Sequence, residues 1–371
     1  ECRNCSILGF IVMTRPIRAV IDSSALLRNI ERLREKAGAR FFWAVVKADA
    51  YGHGLIGLLP VFDKAVDGLA LLDPSEGVQA RKAGWRKPIL LIEGVFSEAD
   101  IQTASEYDFE TLIHQERQIE WLERAQLKKP LRVHVKCNTG MNRLGFRPDR
   151  IQGVLERLQA IPNVVVADIL AHFANAELTY PQDRPVTVEK QLAALQALRA
   201  YGNMCLSNTG AILWHPEAQD HAVRAGIAMY GVSPDGNITS EALGVEPVMN
   251  FESEIMALQD LEVGEAVGYG SKFIAQRPTR LAIVACGYAD GYPRKSGKDR
   301  KVFVEGRFAP VVGNVSMDML TIDVTDVPQE GQTFALSGSC VPPYLKYLFE
   351  PLKNGRPLHH LAVVCHSCYK T

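Results

Sequence analysis

A lysine that closes an apolar strand is the first residue whose setting invites chemistry. Phe41-Phe42-Trp43-Ala44-Val45-Val46 runs into Lys47, and Ala48-Asp49-Ala50-Tyr51-Gly52-His53-Gly54 follows. Desolvation at such a strand end disfavours the ammonium form, and the neutral amine this makes accessible can form a Schiff base with an aldehyde. The competing reading is a lysine whose stem covers apolar surface while its head reaches water; on the strand context alone that reading is the commoner one. Other reactive types stand in similar places. Arg224 and His172 end apolar runs, Lys136 ends the alternation Arg132, His134, Lys136, and Tyr269 stands between Gly268 and Gly270. Each has a plain alternative: a surface ion pair, a satisfied core histidine, a polar strand face, a packed aromatic.

The elements that must carry these residues follow from hydrophobic patterning. Between Phe41 and Tyr230 eight short apolar runs alternate with helical patterns: Phe41–Val46, Gly68–Leu72, Ile89–Ile92, Glu110–Ile113, Leu131–Cys137, Val164–His172, Met204–Ser207 and Ala222–Arg224. Eight strands with intervening helices predict an α/β fold, a (β/α)8 barrel of the TIM type, although an open α/β sheet shares the alternation. Ser24 before Ala25-Leu26-Leu27, and the spacing of Leu27, Ile30 and Leu33, mark the first helix. In a barrel, residues ending strands line the active face, where Lys47, Lys136, His172 and Arg224 all fall. From about Glu246 the texture changes to Val248–Ala257, Arg280–Ala285, Arg300–Val304, Ala309–Val312 and Met319–Val324, separated by Gly and Pro clusters, which predicts a mainly β second domain.

Composition narrows the partners. The 371 residues exceed what one core usually serves, so two domains are expected. Lys and Arg total 41 against 42 Asp and Glu, leaving no basic excess to hold a nucleic acid. The apolar stretch Ile7–Met13 is too short to span a bilayer and follows no basic region like that of a secretory signal, so a cytoplasmic protein with no membrane partner is expected. Cys2/Cys5 and Cys365/Cys368 are spaced like ligand pairs, but a structural zinc site needs four converging ligands, and reduced structural thiols are the preferred reading, with no metal expected.

Longer segments carry a resemblance. Val46-Lys47-Ala48-Asp49-Ala50-Tyr51-Gly52-His53-Gly54 is similar to the cofactor-lysine signature of the alanine racemase family. The likeness continues through Lys136-Cys137-Asn138-Thr139-Gly140-Met141-Asn142-Arg143-Leu144-Gly145, Ala171-His172-Phe173-Ala174, Ser207-Asn208-Thr209-Gly210, Val223–Gly231, Gly268-Tyr269-Gly270, Gly287–Gly291 and Gly313–Met319. Several ordered motifs over roughly residues 14–330 make coincidence untenable. The resemblance implies a barrel followed by a β domain, in a homodimer whose active sites are shared between subunits. It implies pyridoxal 5'-phosphate bound as an internal aldimine on Lys47, with Tyr51, Asn208, Thr209 and the backbone of Gly226 and Ile227 around the phosphate, where the family commonly has serine at Thr209. Arg224 would face the pyridine nitrogen, and His172 would link that arginine to the catalytic tyrosine. Lys136 is the lysine that undergoes carbamylation in some members, orienting Arg143 toward the cofactor oxygen and the substrate carboxylate. Lys47 and Tyr269 would be the two bases, with Tyr288, Met317 and Asp318 completing the substrate pocket.

The implied activity is interconversion of L- and D-alanine by two-base proton transfer, supplying D-alanine for peptidoglycan. A related racemase of other specificity and a noncatalytic pyridoxal-phosphate carrier are the rivals; carriers are usually single barrels. The expected organisation is an extension over residues 1–13, a cofactor-binding barrel over 14–245 and a mainly β domain over 246–371. The family pattern fades from about residue 337, and the family's late phosphate-binding tyrosine has no match near His359 and His360. The aspartate usual two positions after the carbamylated lysine is Asn138 here.

Overall fold

The structure, a computed structural model, describes residues 15–178, 184–294 and 300–327, together with the backbone of 335–336. The cysteine pairs at 2/5 and 365/368, residues 1–13, and the divergent segment from 337 with His359 and His360 lie outside the described residues. The described chain divides into two units, one spanning Ile21–Val248 and the other joining the residues up to Val20 with those from Met249.

In the first unit β2 (Phe41–Val45), β3 (Gly68–Leu71), β4 (Ile89–Leu91), β5 (Glu110–Ile113), β6 (Leu131–Lys136), β7 (Val164–Leu170), β8 (Met204–Ser207) and β9 (Ala222–Ala225) form a closed parallel barrel, in that order. Pairing of Phe41–Ala44 with Ala222–Ala225 closes it. All eight expected runs are strands, and the open-sheet alternative is excluded. Several runs end one or two residues early, because Val46, Cys137 and His172 already belong to loops at the carboxyl ends. Helices cover the barrel outside. The first, Ser23–Ala37, is capped by Asp22 and not by Ser24: the Asp22 carboxylate accepts from the amides of Ser24 and Ala25 at 2.9 and 3.0 Å. It buries Leu26, Ile30 and Leu33, while Leu27 lies at the edge of the buried stripe.

Inside the barrel, His134 is enclosed. Its Nε2 lies 2.6 Å from Glu110 and its Nδ1 3.6 Å from Asp168, and Arg132 reaches the other Glu110 oxygen at 3.2 Å. Arg132 and His134 therefore point inward below Lys136, as period-two alternation requires.

The second unit is a mainly antiparallel sheet. It contains β1 (Ile17–Ile21), β10 (Met249–Leu261), β13 (Thr279–Val284), β14 (Lys301–Val304), β15 (Arg307–Val312), β16 (Leu320–Asp323) and β17 (Ala335–Leu336), in the order β1-β10-β13-β16-β15-β14, with β17 on β10. The five expected strands are present. The strand at Ile17–Ile21 was not among them, and it joins this sheet although the expected barrel segment began at 14. A closed barrel offers no edge, whereas β10 does. A two-stranded ribbon of β11 (Ala266–Val267) and β12 (Phe273–Ile274) carries Tyr269 in its connection.

Candidate active site

Lys47 leaves the barrel where β2 ends, and the backbone then does something the sequence did not announce. Ala48, Asp49, Ala50 and Tyr51 all have φ between 54° and 56°, a left-handed turn of four residues with side chains. Left-handed geometry costs an L-residue about 1–2 kcal/mol, so the turn must be held from outside. Asp49 accepts from the Leu55 amide at 2.7 Å and donates its own amide to Glu76 at 2.7 Å, while His53 Nδ1 donates to the carbonyls of Ala50 and Tyr51 at 3.0 Å. The fully buried Tyr230 stacks on His53 and packs against the Tyr51 ring, and its hydroxyl donates to Val45 O at 3.0 Å. The turn thereby carries Lys47 and Tyr51 into the same cavity. Burial lowers the Lys47 amine from its usual range, and Arg143 acts in the same direction, while Glu93 opposes them.

Arg224 stands one residue before the end of β9 and is buried. Its guanidinium donates to three backbone carbonyls, Cys205 at 2.6 Å, Ala171 at 2.7 Å and Leu206 at 3.2 Å, and to His172 Nδ1 at 3.3 Å. A guanidinium can only donate, so His172 Nδ1 accepts and the imidazole proton sits on Nε2. Burial, then the cations Arg224, Lys136, Arg143 and Lys47, hold His172 well below its ordinary pKa and therefore neutral. Lys136 is lowered to about 7, first by burial and then by Arg224 and Arg143. Asn138, two residues on, spends its carboxamide on the loop: Oδ1 accepts from the amides of Gly140 and Asn142 at 3.1 and 3.0 Å.

A small-residue cradle closes the opposite side. Thr209 Oγ1 accepts from the Gly226 amide at 2.9 Å, which leaves the hydroxyl proton free to be donated and commits the Gly226 N–H that was expected to face a phosphate. A Cβ added to Gly226 would stand 3.1 Å from Tyr51 Oη and 3.6 Å from Thr209 Oγ1, so only glycine leaves that space open. Asn208 caps the short helix Thr209–Trp214 through the Ala211 amide at 3.1 Å. Tyr51 is pushed up to about 12 by burial, so its hydroxyl remains a donor.

One cavity of about 270 Å³ is lined by Lys47, Tyr51, Lys136, Arg143, His172, Asn208, Thr209, Arg224, Gly226 and Ile227. Every barrel residue singled out from the sequence is thus gathered at one place. Lys47, Lys136, Arg143 and Arg224 form no ion pair there among the described residues, and Glu93 and Glu177 are the acids on the wall. Excess positive charge in a partly desolvated pocket selects an anion. Sequence reasoning missed both acids. The signal for Glu93 was available: a charged residue just past the carboxyl end of a barrel strand.

The residues expected from the second unit form their own group. Tyr269 is 74% exposed, between Gly268 and Gly270 at φ 64° and 75°, and its carbonyl accepts from Asn314 Nδ2 at 2.7 Å. The Tyr288 amide donates to Ser316 O at 3.1 Å and the Ala289 amide to Met317 O at 2.8 Å, which seats Tyr288 beside the loop bearing Met317 and Asp318. Met317 is 59% exposed and Asp318 is also exposed.

Comparison with known proteins decides the family. Residues 21–234 match the family model "Alanine racemase, N-terminal domain" and residues 248–344 match "Alanine racemase, C-terminal domain". The chain belongs to the alanine racemase family. It is 43% identical over 322 residues to an alanine racemase of Burkholderia mallei, covering 86% of this chain and 88% of the relative. With an alanine racemase of Cupriavidus necator it shares 44% over 339 residues, 89% of each chain. Among solved structures, the alanine racemase of Acinetobacter baumannii superposes with a TM-score of 0.80 at 39% identity, over 87% of this chain and 91% of that one. The biosynthetic alanine racemase of Pseudomonas aeruginosa gives 0.81 at 36%, over 88% and 91%.

Alanine racemases are isomerases that interconvert the enantiomers of alanine, and the family depends on pyridoxal phosphate. Against that background the cationic barrel pocket has the charge an anionic cofactor needs. Asn138 serves its turn directly, because the turn needs an oxygen acceptor and the amide supplies it. No helix among the described residues is long and apolar enough to cross a membrane.

Proposed function

We propose that this chain holds pyridoxal 5'-phosphate on Lys47 and racemises alanine between Lys47 and Tyr269 of the partner subunit. The observation that carries the reading is the single cavity in which a desolvated lysine, an arginine bound only to neutral acceptors and a glycine-floored hydroxyl cradle occur together. The residues fit the cofactor: Cβ-free space at Gly226 suits a phosphate beside Thr209, Tyr51, Asn208 and the Ile227 amide, and the excess of cations suits its charge. Support also comes from relatives, since the Bartonella henselae enzyme is described with covalently bound pyridoxal phosphate and the Bacillus anthracis enzyme with bound L-Ala-P.

Bound there, the cofactor supplies an electron-withdrawing ring that acidifies the α-carbon of an attached amino acid. The protein does the rest. Arg224 would set a permanent positive charge beside the ring nitrogen and so keep that atom unprotonated. Neutral His172 accepts from Arg224 at Nδ1, which leaves the proton on Nε2, beside Asn208, to be donated toward the catalytic tyrosine. Arg143 takes the substrate carboxylate and a cofactor oxygen. Lys136, neutral in good part near pH 7, is competent to add carbon dioxide with loss of a proton, and the resulting carbamate would orient Arg143. Lys47 Nζ removes or returns the α-proton on one face and the tyrosine oxygen acts on the other. Tyr288, Met317 and Asp318 bound the alanine side chain from the partner's β domain.

In this reading the barrel unit carries the cofactor, the β unit carries the second base, and the homodimer works in the cytoplasm to supply D-alanine for peptidoglycan. The test is purified chain loaded with pyridoxal phosphate and given L-alanine. D-alanine should accumulate to an equal mixture, and borohydride should fix the cofactor to Lys47. Bound cofactor without turnover would favour a carrier, and cofactor fixed elsewhere would overturn the lysine assignment.

A further inference from the structure

Glu93 has no role in the arrangement above, yet the fold holds it firmly. It follows β4, and the next residue, Gly94, has φ +79°; a Cβ there would lie 2.2 Å from Leu112 O, so the turn accepts only glycine. The buried Gln118 ties both sides of this turn, accepting from the His114 amide at 2.9 Å and donating to Val95 O at 3.0 Å. His114 Nε2 in turn lies 3.1 Å from the Glu93 carbonyl. The backbone is thus pinned on three sides, while the side chain lines the cavity that contains Lys47. Its carboxylate makes no hydrogen bond or ion pair with a described residue, and it is the acid that acts electrostatically on Lys47. Around the same cavity stand Tyr51, Lys136, Arg143, His172, Glu177 and Arg224. Of these, only Arg143 adds a resolved effect on Lys47, and it opposes Glu93.

We propose that Glu93 is a positioning residue for Lys47: its carboxylate, on the wall of the same cavity, steadies the ε-amino group in the half of the reaction in which that group carries the proton taken from the substrate. A base that gains a proton in one half of a reaction must return it in the other, and a fixed carboxylate stabilises the protonated form without taking the proton. The idea rests on the assignment of the cofactor to Lys47, and the test separates the two.

The full chain, stripped of pyridoxal phosphate, is trace-labelled with acetic anhydride from pH 6 to pH 10, and the peptide bearing Lys47 is quantified by mass spectrometry. Only the neutral amine reacts. In Glu93→Gln the Lys47 profile should move to lower pH, so that labelling below its midpoint becomes faster by roughly threefold or more, while a surface lysine such as Lys82 is unchanged. Glu93→Asp, which keeps the charge, should restore most of the original profile and serves as the second variant if the glutamine form folds poorly. An unchanged Lys47 profile in folded Glu93→Gln, or an equal shift in Glu93→Asp, overturns the proposal. Reloading each protein and reducing with borohydride reports independently on the lysine itself: cofactor found elsewhere sinks the Lys47 assignment, whereas cofactor on Lys47 with an unmoved profile sinks only the role of Glu93.

Discussion

Replacing Lys136 with methionine should stabilise the cofactor-free chain, and the gain should depend on pH in a direction the burial dictates. The Lys136 amine falls from its usual 10.5 to about 7, chiefly by burial. At about 1.4 kcal/mol for each tenfold change in proton affinity, that drop corresponds to a penalty on the order of 5 kcal/mol for the charged form. Because the folded pKa is below the unfolded one, the unfolded chain binds more protons between pH 7 and 10.5. Stability of the parent therefore rises with pH across that window. Below pH 7 the penalty is fully present, and above 10.5 it is gone. Methionine fills similar space with no charge, so Lys136→Met should gain most at pH 6 and about 3 kcal/mol less at pH 9. Urea unfolding of parent and variant at both values, followed by circular dichroism, measures the difference. A gain that is the same at pH 6 and pH 9 to within about 0.5 kcal/mol would refute the claim that desolvation of this amine sets its chemistry.

Other consequences are as direct. Gly226→Ala should weaken cofactor binding by about tenfold, or roughly 1.4 kcal/mol, since its Cβ would crowd the Tyr51 hydroxyl and fill the space left for the anion; unchanged affinity in a fluorescence titration would contradict the cradle. Thr209→Val should weaken binding similarly and Thr209→Ser should not, because the serine hydroxyl can still accept from Gly226 and donate to an anion; equal losses in both would point to packing instead. Lys47→Ala should remove the visible absorption of the covalently held cofactor, and survival of that band would show another lysine carrying it.

Much of this was legible before the structure because strand ends are readable. Lys136 ends its strand, Arg224 stands one residue before the end of its own, and Lys47 and His172 fall two residues past a strand end, as apolar runs broken by a polar residue implied. The left-handed turn at Ala48–Tyr51 was not legible: none of its residues is glycine or asparagine, and among what holds it are Glu76 and Tyr230, both distant in sequence. Helix capping by Asp22 was misread because Ser24 is also a good cap, and only the observed bonds choose between them. Glu93 escaped notice because a single acid carries no motif; Gly94 beside it gains meaning only once Leu112 O is seen to occupy the space of a side chain.

The most direct test of the whole account is complementation between Lys47→Ala and Tyr269→Phe. Each homodimer lacks one base at every site and should be nearly inactive. When equal amounts are unfolded and refolded together, about half of the dimers are mixed, and each mixed dimer carries one intact and one doubly defective site. About a quarter of all sites should then racemise alanine at the parent rate. Mixed dimers verified by mass, with pyridoxal phosphate bound but no racemisation recovered, would contradict a site built from Lys47 of one subunit and Tyr269 of the other.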